Sequence, residues 1–153
     1  MTLTAPGTKT AAARRFGYTV AILINAAFLY LINIWPSWAA VPFLTDQTVL
    51  VLDVVNASLV VSLAANALYL VDDEAWLRAL GSIVTTAVGM VALLRILQVF
   101  PFDFADSAID WSLIARIVLI VSVIGSAIGI LVGFVTLVKS LWVRSSGGSG
   151  VQN

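Results

Sequence analysis

Residues 112–139 read SLIARIVLIVSVIGSAIGILVGFVTLVK, a run broken by one charge, Arg116, before Lys139 closes it. An apolar run of this length with so few charges is the signature of a membrane-crossing helix. At about 1.5 Å per residue it exceeds a hydrocarbon core of about 30 Å, so it must tilt or protrude. Moving outward from it, three further apolar runs lie at residues 16–35, 49–71 and 80–100. Of the 153 residues, 61% are hydrophobic and 10% are charged, where soluble domains carry roughly a quarter. Mean hydropathy is +1.06. A soluble monomer is excluded, and the four runs leave no room among these residues for a separate soluble catalytic domain.

The expected fold is an all-α integral membrane protein with four transmembrane helices in two antiparallel hairpins. Residues 1–15 read as a disordered tail, 16–144 as the transmembrane domain, and 145–153, SSGGSGVQN, as a flexible linker-like tail. The first run follows Arg14 and Arg15, the pattern of a signal peptide, but it is longer than a signal peptide's apolar region and lacks a clean cleavage site. Thr45 and Asp46 suit the start of the second helix, and Asp72, Asp73 and Glu74 suit the cap of a lead-in helix before the third. Pro101 stops the third, and Asp110 or Ser112 starts the fourth. Lys9, Arg14, Arg15, Arg78, Lys139 and Arg144 fall on one side, while connections 36–48 and 101–111 contain no Lys or Arg. Basic residues are retained inside, which predicts two cytoplasmic termini in a multi-pass cell (inner) membrane protein. The Ala/Val-rich, Arg-biased composition is compatible with a bacterial one. Aromatic belts agree: Trp35, Trp38, Phe102, Phe104 and Trp111 at the outer level, and Tyr18, Tyr69, Trp76 and Trp142 at the inner.

Cysteine and histidine are absent, which removes thiol chemistry and the usual transition-metal ligands. No P-loop, His-Glu-x-x-His or Gly-x-Ser-x-Gly pattern occurs, so the chain is expected to be no enzyme and to hold no cofactor or metal. Asp103 and Asp106 offer too few oxygens for calcium and read first as a solvated loop. Net charge is zero, giving no reason for a nucleic-acid partner. The lipid bilayer, a second copy or another membrane protein are the expected partners.

Charges inside apolar spans are costly enough to be functional candidates. Asp53, Arg95 and Arg116 share the outer third, with Asn33, Asn56 and Gln98 in the same layer. Met together in a bundle, they form either a structural ion-pair layer or an outward-facing site for an anionic solute or lipid headgroup. Gly125, Gly129 and Gly133 make two overlapping Gly-xxx-Gly steps, a smooth strip for close helix approach. It serves either another protein or an inner neighbour such as the Gly81, Thr85, Gly89 strip. Asn25, Ser58, Ser62 and Asn66 suggest a structural hydrogen-bond seam between helices. All four prolines lie outside the spans, unlike the broken helices of carriers. The expected function is therefore non-enzymatic, acting through helix contacts as an accessory or scaffold subunit or a homo-oligomer. The alternative is a transport or channel component, or an anionic-lipid binder, using the Asp53, Arg95, Arg116 layer.

Overall fold

The computed structural model describes residues 10–104 and 109–147, with the Arg144 and Ser146 side chains outside that description. Lys9, Asp106 and residues 148–153 also lie outside the described residues. Four helices are long and apolar enough to cross a membrane: α1 (Ala11–Asn33), α2 (Val49–Val71), α3 (Ala75–Val99) and α4 (Trp111–Gly147). Among the described residues there is no strand beyond a single bridge between Leu44 and Phe102.

Helix ends follow from local chemistry. The Thr10 hydroxyl accepts from the Ala13 N–H, satisfying one orphan donor, and so α1 begins at Ala11. That corrects the reading of residues 11–15 as disordered tail. Pro36 and a left-handed Ser37 (φ 72°) follow its end. The Asp72 carboxylate accepts from the Glu74 N–H at 3.2 Å, and α3 then runs unbroken from Ala75, merging the expected lead-in helix with the span. Its last turn ends at Phe100, left-handed at φ 45°, because a residue before proline is sterically barred from continuing the helix. The Asp110 carboxylate caps α4 by accepting from Leu113 N–H at 2.9 Å. The helix continues to Gly147, so residues 145–147, read as flexible tail, are helical.

Packing follows chain order: α1 on α2, α2 on α3, α3 on α4. No other pair of these helices makes more than a marginal contact. The two hairpins thus stand side by side as an open row rather than closing into a four-helix bundle. The buried apolar residues are few, Val51, Ala65, Tyr69, Ala79 and Ala92. Such a small core suits a membrane, where lipid tails solvate apolar side chains as well as another helix does. Asn25, Ser58, Asn66, Ser122 and Ser126 bond back to carbonyls of their own helices. The expected interhelical seam of Asn25, Ser58, Ser62 and Asn66 is absent among those bonds, because a carbonyl three or four residues back lies within reach without any partner helix.

The two ends differ in construction. At one end the connections from Ser37 to Thr48 and from Phe100 to Phe104 zip together, with Thr45 N–H donating to Pro101 O and Asp103 N–H to Phe43 O. Phe43 stacks on Phe104, Phe104 on Phe102, and Phe100 meets Phe102 edge-on, while Pro101 is fully buried beneath them. We call this the capped end. The other holds the start of α1, the three-residue α2–α3 connection and the end of α4; we call it the basic end.

Candidate functional site

At the capped end the polar layer comes together only in part. Asn33 and Asn56 exchange two side-chain hydrogen bonds, at 2.9 and 2.8 Å, and tie α1 to α2. Arg116 lays its guanidinium 4.1 Å from the centre of the Phe100 ring, a cation–π contact that fastens α4 to the cap of α3. Asp53, Arg95 and Gln98 are exposed on their helices. Among the described residues neither Asp53 nor Arg95 makes a hydrogen bond or ion pair, so the three-charge cluster read from the sequence does not form within the chain. Asp53 lies two residues, roughly 200°, around α2 from the buried Val51, and so on the exposed side of that helix.

Two of the three strip glycines face α3. A Cβ on Gly129 would meet Thr86 Cγ2 at 3.7 Å, and one on Gly133 would meet Ile83 Cγ1 at 2.8 Å. These two glycines therefore seat α4 on α3, whereas Gly125 opens onto empty space. Of the other small strip, Gly81 lies under the Tyr69 ring on α2, and Gly89 meets nothing within 4 Å.

The densest polar constellation is at the basic end and centres on Asp73. Its carboxylate accepts from Arg14 Nε at 2.7 Å, from the Tyr18 hydroxyl at 2.8 Å and from Arg78 at 2.9 Å. Arg14 and Tyr18 are four residues apart and so share one face of α1. The three-residue connection places Asp73 between that face and the first turn of α3. Tyr18 also packs its ring 5.3 Å from that of Tyr69, whose hydroxyl reaches the Arg78 carbonyl. Hydrogen bonds from Tyr18 first, and then from Arg14, hold the Asp73 carboxyl below its ordinary pKa. It stays ionised at neutral pH with its lone pairs occupied, which makes it a clasp between α1 and α3 and a poor proton acceptor.

Sequence reading assigned Asp72, Asp73 and Glu74 to helix capping as a group. Asp72 bonds the backbone N–H of Glu74, just before α3, while the Glu74 carboxylate accepts from the Trp76 indole N–H. The overlooked signal was the Arg14, Tyr18 pair on one face, at the same end as three consecutive acids.

The grooves between helices are mostly apolar. Val61, Ala64, Leu68, Leu80 and Val84 line one between α2 and α3. Another runs between α3 and α4 past Ser82, Gly125, Gly129 and Thr136, with Arg78 at its basic end. No known protein family matches this chain, and no curated protein or solved structure shows significant similarity to it.

Proposed function

We propose that this chain is a non-enzymatic multi-pass membrane protein that works through helix contacts, as a homo-oligomer or as an accessory or scaffold subunit. The observation that carries this reading is the open row: no helix returns to close it, and α1 contributes no buried residue at all. A lone row of four helices presents two broad faces to its surroundings, the geometry of a component that others pack against. The strongest polar cluster is consumed in joining α1 to α3, which favours a structural use of its charges over chemistry. The basic end faces the cytoplasm on this reading, in a bacterial inner membrane, since Arg14, Arg15, Arg78 and Lys139 gather there.

A transport path is less well supported, because the grooves between α2 and α3 and at the capped end are lined by apolar side chains. Native mass spectrometry after gentle extraction tests the choice. A defined oligomer or a stoichiometric second protein is the expected result. A monomer that retains an anionic lipid or small solute overturns it.

A further inference from the structure

We infer that the exposed face shared by α2 and α3 is a homodimer interface, in which Asp53 of each copy pairs with Arg95 of the other. The inference rests on the contact reading above and names the surface through which it operates. On α2, Asp53, Ala57, Val60, Ala64 and Leu68 recur at spacings of three and four residues, and all are exposed. They form one stripe. On α3, Leu80, Val84, Val91 and Arg95 form a second exposed stripe. Ala64 and Leu68 line the same groove as Leu80 and Val84, so the two stripes flank it on one side of the row. Each stripe is apolar along its length and carries one charge, of opposite sign, near the capped end.

The depths match. Asp53 lies four residues after α2 begins at Val49, and Arg95 lies four residues before α3 ends at Val99, about 6 Å along each helix. A charge at this depth seeks a partner, because lipid tails offer none. Within the chain, among the described residues, neither side chain has one. A two-fold axis along the membrane normal, with the grooved faces together, sets α2 of one copy against α3 of the other. The symmetry then makes both pairs at once, Asp53 to Arg95 and Arg95 to Asp53, at equal depth. Ala57 and Ala64 are small, which lets the backbones approach. A lipid phosphate satisfies Arg95 but repels Asp53, whereas a partner with both charges in mirrored order answers both, and a second copy is such a partner.

The chain has no cysteine among its residues, so introduced thiols report cleanly. Ala57→Cys and Val91→Cys, each eight residues from the capped end of its helix, are placed in separate copies, co-expressed and treated in the membrane with a short bifunctional thiol reagent. A mixed-copy dimer is expected, and none is expected when Ile120→Cys on α4 replaces Val91→Cys. In bilayers, Asp53→Arg or Arg95→Asp should weaken dimerisation at least about tenfold, since like charges then face each other, and the double swap should restore it. A charge reversal can block insertion by itself, so the cross-link in the otherwise unaltered chain is the independent reading. A dimer indifferent to the reversals, or cross-linked at Ile120 instead, overturns this interface and leaves the contact reading standing. A monomer in native membranes with no protein partner, with or without retained phospholipid, overturns both.

Discussion

The two ends of the row each hold two arginines and one aspartate that the chain could bring together, and they treat them oppositely. At the basic end Asp73 gathers Arg14 and Arg78 into one clasp. At the capped end Asp53, Arg95 and Arg116 stay apart, and backbone zippering and stacked phenylalanines hold the connections instead. The difference lies in where the aspartate sits. Asp73 is in a short connection between helices, free to centre itself between two of them. Asp53 is fixed on the exposed face of α2 by that helix's phase. Matched trios of one aspartate and two arginines thus give a knot in one place and an open face in the other.

The largest effect expected from breaking this contrast is at Gly81. A Cβ there would stand 2.0 Å from the Tyr69 hydroxyl and 2.8 Å from its ring carbon, so Gly81→Ala must displace the ring that packs on Tyr18. Overpacking of this kind costs about 1–3 kcal/mol, whereas Gly125→Ala, facing open space, should be tolerated. Comparing unfolding of the two variants in mixed detergent checks the prediction, and equal stability would remove Tyr69 from the clasp.

Asp73→Asn comes next. It should lower stability at neutral pH, where Asp53→Asn leaves the monomer's fold unchanged. The clasp also carries a pH signature. The folded-state pKa of Asp73 is depressed below its unfolded value, so its stabilisation is complete above the ordinary carboxylate range and fades as pH falls through the depressed value. Subtracting the Asp73→Asn unfolding profile from that of the native chain should isolate a loss confined to acidic pH. A difference that is flat from neutral to acid would show that the clasp does not form in the bilayer.

The smallest expected effect is at the capped end. Asn33→Ala and Asn56→Ala should each cost about 0.6 kcal/mol, and at most about 1.7, the range for side-chain hydrogen bonds in membranes. Because each asparagine bonds the other, the double variant should cost little more than either single one. Additive losses would mean the two act separately.

Much of the fold was legible in composition alone. The second span, residues 49–71, coincides with α2, because a long apolar run ended by Asp72 leaves few alternatives. The extra turns of α1 and α4 were not, since Arg14, Arg15 and the Ser-rich stretch after Arg144 lower hydropathy without breaking a helix. The open row was beyond sequence, because an apolar helix facing lipid and one facing a helix have the same composition. Of the glycine strip, Gly129 and Gly133 lie against Thr86 and Ile83, whereas Gly125 meets nothing, a distinction the four-residue spacing does not carry. The Asp73 clasp was hidden because its donors on α1 lie 55 and 59 residues away, and local patterning assigns an acid before a helix to capping.

Serial packing also bears on how the chain is made. Because each helix rests chiefly on the one synthesised just before it, α2 can dock on α1, and α3 on α2, while later residues are still in the ribosome. No seam between α1 and α4 has to wait for the last helix, as it does in a closed bundle. Contacts between successive elements form quickly and expose little unsatisfied surface during synthesis. The Asp73 clasp needs Arg14 of α1 and Arg78 of α3 but nothing from α4, so it ties the first three helices without the long fourth.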